Sequence, residues 1–333
     1  MSATYTSVSW NPAKKAYDAT IAKGLIVYLT LFCGIGLAVH RDATVETLAI
    51  RALATAAFLM LHLILSIGPL ARLDPRFLPL LYNRRHLGVT MFLVALAHAV
   101  FAIVQFHALG NVNPLVGLLT SGTGFQTFGL VALVILFFMA ATSHDFWLAN
   151  LDARVWKKLH MGVYFAYASI VVHVALGALH SEAHPVLAIA TGAGMAWLLS
   201  LHVIAARRER AGDRPTERAE DGWIDAGPAD TFQEGRAKIV CADERIAVFR
   251  YDGKISAVSN VCRHQAGPLG EGRVIDGCIT CPWHGYQYLP ANGRSPAPFT
   301  ERVATFDVLV VGGRVYVNPK PHRPGTAVAP AHV

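Results

Sequence analysis

Cys262-Arg-His264 and Cys281-Pro-Trp-His284 lie near the C-terminal end of this chain, separated by sixteen residues. Each pair offers one thiolate and one imidazole. Two such pairs suit a [2Fe-2S] centre in which one iron takes both sulfurs and the other both nitrogens. Exchanging two thiolates for neutral imidazoles removes negative charge and raises the potential into a range of roughly −150 to +300 mV. The chemistry would be one-electron transfer. Three other readings use the same residues: a tetrahedral zinc site, a disulfide with bystander histidines, and no site at all. A structural zinc site more often pairs Cys with Cys in a tight knuckle and His with His. The flanking residues favour the cluster: Gly267, Pro268, Gly270 and Gly272 follow the first pair, and Pro282, Gly285 and Gly293 attend the second. Both loops can therefore bend closely over a small inorganic core.

The elements that position these loops read as strands. Arg245 to Tyr251 and Lys254 to Ser259 alternate apolar and polar residues across the hairpin turn Asp252-Gly253, and Phe306 to Val311 with Arg314 to Val317 repeat the design across Gly312-Gly313. A small antiparallel β-domain follows. With its two motifs and this strand pattern, the segment from about Asp221 to Pro319 resembles the Rieske domain family. It departs from the Rieske proteins of cytochrome bc complexes, which carry two further cysteines that staple the loops; Gly267 and Trp283 stand at those places. The resemblance is to ferredoxin-like and oxygenase-type Rieske domains. It implies that Tyr288 stands where a hydroxyl can bond a ligand sulfur, while Tyr286 replaces the serine that usually helps; Tyr288 also reads as a packed aromatic. Cys241 and Cys278 read as small buried strand residues.

The rest of the chain is built for a different solvent. Hydrophobic residues make up 53% of the whole and charged ones 15%, and the charge depletion concentrates before Ala206. Apolar runs over Ile21–Val39, Leu48–Ile67, Leu87–Phe106, Phe125–Ala141, His160–Leu179 and Val186–Ala205 each approach the ~20 residues a helix needs to cross hydrocarbon. The predicted fold is a six-helix α-helical membrane bundle followed by a small all-β domain. Expected boundaries are an N-terminal segment at 1–20, the bundle at 21–206, a charged linker at 207–221, the Rieske domain at 222–319 and a disordered tail at 320–333.

Basic residues set the expected orientation, since they accumulate on the cytoplasmic side. Lys14, Lys15 and Lys23 precede the first span, Arg72, Arg76, Arg84 and Arg85 lie between the second and third, Arg154, Lys157 and Lys158 precede the fifth, and Arg207, Arg208 and Arg210 follow the sixth. The alternate loops carry few. Both termini are expected in the cytoplasm of a bacterial-type inner membrane, with no secretory signal. The formal charge of +7 follows from this distribution and calls for no nucleic-acid partner.

Ionisable residues inside membrane spans are functional candidates. His98 in the third span and His173 in the fifth lie about a dozen residues from the cytoplasmic ends, hence roughly 18–20 Å deep. Imidazoles at equal depth on two helices can clamp a b-type haem between them. The membrane half, about Thr20 to Ala206, resembles the ferric-reductase-like transmembrane family. The motifs are Arg84-Arg85-His86-Leu87-Gly88 with Phe92 and His98, and Trp156-Lys-Lys-Leu159-His160 with Tyr164 and His173. Two-haem members of that family carry an inner histidine fourteen residues before the outer one on the third helix, and Arg84 stands there. His160 keeps its family position, so a second haem would use His160 with a substitute such as His86. The alternative for His160 is an interfacial histidine bonded to a carbonyl. His62 and His107 read as packed or interfacial, and His180 and His184 as wet outer loop.

Ferric-reductase-like proteins that draw on pyridine nucleotides carry flavin and nucleotide domains after the last helix; no G-x-G-x-x-G turn in βαβ context occurs here. The combined expectation is a membrane oxidoreductase component. A separate reductase charges the cluster, the electron passes to haem, and a quinone or an outer-side protein receives it. Reverse flow from quinol to a cytoplasmic enzyme uses the same parts. A membrane-anchored ferredoxin or redox sensor without haem is the alternative class.

Overall fold

The computed structural model describes residues 12–39, 42–108, 113, 116–117, 120, 124–143, 147, 151, 153–181, 185–212, 216, 222–264, 266–283, 285–297 and 299–333. His284 and His184 lie outside the described residues, as does the side chain of His107.

The apolar runs fold as helices α1 (Pro12–Val39), α2 (Val45–Leu73), α3 (Leu78–Ile103), α4 (Gly124–Ala141), α5 (Ala153–His160), α6 (Gly162–Leu176) and α7 (Val186–Gly212). They supply six segments long and apolar enough to span a bilayer, the fifth running Val155–Ser181 through α5 and α6. That span is interrupted at Met161, whose carbonyl accepts from Tyr164 three residues on, the tighter pitch of a 3₁₀ turn. α2 is the hub, packing on α1, α3 and α7, while α4 packs chiefly on α6. Their shared core joins Ala56, Met60 and Leu61 of α2 to Met91 and Phe92 of α3, Leu136 of α4, Ala166 of α6 and Leu198 of α7. The alanines in this set let backbones approach closely, as helix contacts in lipid require.

Among the described residues, eleven short strands build the C-terminal domain. One sheet has the order β1 (Ile224–Pro228), β10 (Arg314–Val317), β9 (Val308–Val311). A second joins β2 (Ala237–Cys241), β3 (Arg245–Tyr251), β4 (Lys254–Ser259) and β11 (Ala331–His332), with β8 (Thr305–Phe306) also on β4. The third, β5 (Arg273–Ile275), β6 (Cys278–Thr280) and β7 (Gln287–Tyr288), carries the ligand loops. Both expected hairpins form. Asp252 and Gly253 turn the first at φ 47° and 67°, and Gly312 and Gly313 the second at φ 57° and 73°, the positive values a two-residue turn demands.

One expectation is corrected. The segment after Pro319 is not a structureless tail: Ala331 and His332 pair with Ile255 and Lys254 of β4, and His322 Nε2 lies 2.8 Å from Asp307 Oδ1. Unpaired β4 edge groups recruit the chain end, a pairing that no local pattern announces. The linker is also partly helical, since α7 runs on to Gly212. Its final turns carry Arg208, whose Nη1 donates to the Leu73 carbonyl at the end of α2 at 2.6 Å, where cations suit exposed helix carbonyls.

Candidate redox centres

The two ligand loops share one backbone design. Cys262 N–H donates to the Gly267 carbonyl, and Cys281 N–H to the Tyr286 carbonyl; Ala266 N–H returns to the Cys262 carbonyl, and Gly285 N–H to the Cys281 carbonyl. Ala266 and Gly285 both take positive φ, 56° and 68°, so each loop closes through a left-handed residue four after its cysteine. Both cysteines are buried, at 1% and 2% exposure, and pack with Leu269, Ile279, Tyr286 and Tyr288. A Cβ on Gly267 would come within 2.8 Å of Cys281 Sγ and 3.1 Å of the Trp283 ring. The first loop therefore lies against the second, with Gly267 meeting Trp283. His264 stacks on Tyr286 with centroids 4.8 Å apart and planes 11° apart.

The donor set fits a two-iron cluster held by two thiolates and two imidazoles. Among the described residues no three His, Cys, Asp or Glu side chains converge on a single metal position; a two-iron centre divides its ligands between two metals. The Tyr288 hydroxyl lies 3.4 Å from Cys262 Sγ, the contact the sequence anticipates, and accepts from Arg263 N–H at 3.0 Å. Burial, reinforced by the Cys262 sulfur, pushes that hydroxyl far above its usual range, so it stays a donor. Tyr286 bonds Glu301 and is pushed upward by burial and by that carboxylate.

In the bundle, α3 and α6 bring His98 and His173 together, their ring centroids 6.3 Å apart and their planes at 75°. Each Nδ1–H donates to a backbone carbonyl, that of Ile50 at 3.1 Å for His98 and that of Phe125 at 2.7 Å for His173. This leaves both Nε2 atoms as acceptors, the arrangement typical of imidazoles that hold metal. Two imidazoles bound at about 2 Å on opposite sides of one iron would have centroids roughly 6.3 Å apart, so the pair fits a haem iron. Gly129 of α4 makes room: a Cβ there would lie 2.8 Å from His173 Nδ1.

Among the described residues, His160 meets no such partner. Its Nδ1 lies 3.0 Å from the Trp156 carbonyl, its Nε2 3.5 Å from Ser143 Oγ, and its ring stacks on Trp156 at 3.7 Å. The structure does not bring His86 to it, because His86 Nδ1 is held by Asp18 of α1 at 2.9 Å. His160 instead lines a cavity of about 220 Å³ with Arg84, Tyr164 and His202.

Trp283 also lines that cavity. Its indole packs on Ile67 and Ala71 at the C-terminal end of α2 and on Leu81 at the N-terminal end of α3, so the loop between Cys281 and His284 is seated on that end of the bundle. Glu209 of α7 bridges Arg72 of α2 and Arg245 of β3, each at 2.9 Å. Sequence reasoning placed Trp283 only as a substitute for a cysteine. A large apolar ring at the tip of a ligand loop was the available signal. Two further Tyr–His pairs also went unread, Tyr167 with His62 at 3.1 Å and Tyr164 with His202 at 3.0 Å.

A family model for the Rieske [2Fe-2S] domain matches residues 222–307, and one for the ferric reductase like transmembrane component matches 51–171. The anthranilate 1,2-dioxygenase ferredoxin subunit of Burkholderia cepacia is 36% identical over 105 residues, which are 31% of this chain and 97% of that protein. Cholesterol 7-desaturase nvd 1 of Ciona intestinalis is 33% identical over 104 residues, 30% of this chain, and the chain spans only 22% of that longer relative. Among solved structures, the complex of reduced oxygenase and oxidized ferredoxin in carbazole 1,9a-dioxygenase matches at 28% identity and a TM-score of 0.29, over 30% of this chain and 96% of that one. Joined in one polypeptide to a ferric reductase like transmembrane component, the C-terminal domain makes this chain a member of the Rieske [2Fe-2S] family and an electron-transfer oxidoreductase of a membrane.

Proposed function

We propose that the chain passes electrons between a Rieske cluster held by Cys262, His264, Cys281 and His284 and a b-type haem held by His98 and His173, and on to a quinone or an outer-side acceptor. One observation carries the haem assignment. The His98 and His173 ring centroids lie 6.3 Å apart, with their Nδ1 atoms already engaged by carbonyls. Each centre supplies one-electron chemistry when bound. The protein's own residues supply the rest: carbonyls of α2 and α4 orient the imidazoles, Tyr288 donates to a ligand sulfur, and Trp283 holds the cluster loop on the bundle. With both termini on the cytoplasmic side, a cytoplasmic reductase would charge the Rieske domain and current would run outward. In this reading residues 21–206 hold haem, 222–319 hold the cluster, and His160 belongs to the inner cavity rather than to a second haem.

The test is an absorption spectrum of detergent-purified, haem-replete protein. A b-type Soret and split α signature should appear in wild type and vanish in His98→Ala and in His173→Ala, while the Rieske EPR signal persists. Wild type without that signature would leave an anchored ferredoxin in its place.

A further inference from the structure

The cavity beneath Trp283 has features that neither centre uses. Its volume of about 220 Å³ suits one substituted ring, since a cavity of roughly 150 Å³ accommodates benzene. Its floor is apolar, formed by Leu61, Ile64, Leu65, Met91, Phe92 and Leu136. Its polar groups gather at the inner end. Arg72 beside it is neutralised by Glu209, but Arg84 has no hydrogen-bond or ion-pair partner among the described residues. A guanidinium facing an apolar cavity without a counter-charge favours an occupant with oxygen acceptors, above all one that gains negative charge. Across the cavity the Tyr164 hydroxyl and His202 Nε2 lie 3.0 Å apart, a pair suited to moving a proton. Tyr164 is 42% exposed, so it borders both the cavity and the surface of the bundle.

Position matters as much as lining. Trp283 is two residues from Cys281. His160 precedes His173 by thirteen residues, about 20 Å along the helix axis. An occupant of this cavity therefore lies between the cluster loop and the paired imidazoles.

We propose that this cavity binds the ring of a quinone, with Arg84 and the Tyr164–His202 pair as its polar contacts. The proposal rests on the relay reading above and changes its order at one point: the quinone docks between the cluster loop and the paired imidazoles, where it takes electrons on the cluster side, and not beyond the haem. Reduction adds two electrons and two protons, converting both ring carbonyls to hydroxyls. The electrons come singly from the reduced cytoplasmic reductase that serves the Rieske domain, and the protons from cytoplasmic water by way of His202 and Tyr164.

The experiment titrates the purified full chain with decylubiquinone, a short-tailed benzoquinone, and reads binding by calorimetry. Haem and cluster are counted on the same samples. Saturable binding near one per chain is expected, weakened roughly tenfold to hundredfold in Arg84→Gln, as loss of a charged donor implies. Tyr164→Phe should weaken it less, and Arg84→Lys should retain most of it, with Soret and EPR signals unchanged in all three. Equal affinity in wild type and Arg84→Gln would overturn the proposal. So would two haems per chain, one of them lost in Arg84→Gln, or loss in that variant of co-purifying phospholipid phosphorus instead of quinone. Absence of haem from wild type that still binds decylubiquinone through Arg84 would sink the relay reading alone.

Discussion

At the scale of single residues, the centres are governed by groups that touch the ligands without being ligands. With Cys262 as a ligand, the Tyr288 hydroxyl, 3.4 Å from its Sγ, would stabilise the more negative reduced cluster. Its removal in Tyr288→Phe should lower the midpoint potential by about 40 mV, one net hydrogen bond of ~1 kcal/mol expressed for a one-electron couple, read by an EPR-monitored redox titration. Gly267 acts by having no side chain. In Gly267→Ala the new Cβ would press on Cys281 Sγ at 2.8 Å and on the Trp283 ring, and the buried loops have little room to yield. Iron content and the Rieske EPR signal should fall steeply in that variant while the helical circular dichroism holds.

At the scale of elements, each centre depends on a neighbour that sets its distance. α4 approaches α6 closely because Gly129 faces His173. Gly129→Ala should cost about 1–3 kcal/mol of packing and reduce the haem to protein absorbance ratio at unchanged cluster content. The short turn Leu269–Glu271 gives the β-domain a pH dependence. Burial lifts the Glu271 carboxyl from 4.5 to about 6, against the opposing pull of Arg72. A carboxyl raised on folding favours the native state most below pH 4.5 and loses that contribution as pH rises through about 6. Thermal unfolding should therefore show a gain of at most ~2 kcal/mol from this group on acidification across that window, and Glu271→Gln should flatten that part of the profile.

At the scale of the whole molecule, the Rieske domain is seated on the bundle. Trp283 occupies the apolar mouth formed by α2 and α3, and Glu209 ties α7 to Arg72 of α2 and Arg245 of β3. These bridges are about a third exposed, so their stabilisation is modest, on the order of 1 kcal/mol together. Glu209→Gln should slow electron exchange between the centres roughly fivefold, an energy of that order, and raised salt should do the same to wild type. Rapid-mixing absorbance of the haem after the cluster is charged reads this directly. An unchanged rate would mean that Trp283 alone holds the seat.

What the sequence by itself determined was local in range. The types and spacing of Cys262, His264, Cys281 and His284 point to a two-iron cluster, and the family match over 222–307 bears out the domain around them. The hairpins at Asp252-Gly253 and Gly312-Gly313 and the six spans follow from periods of two residues and lengths near twenty. Depth along a helix was legible too, which is why His98 and His173 emerged as a pair. Only tertiary structure decided what depends on helix rotation and on contacts distant in sequence. It turned His86 to Asp18, left Arg84 facing a cavity with His160, Tyr164 and His202, drew Ala331 and His332 onto β4, and set Trp283 between two domains. Those outcomes depend on side chains from separate elements competing for one space, a competition that no single stretch of chain encodes.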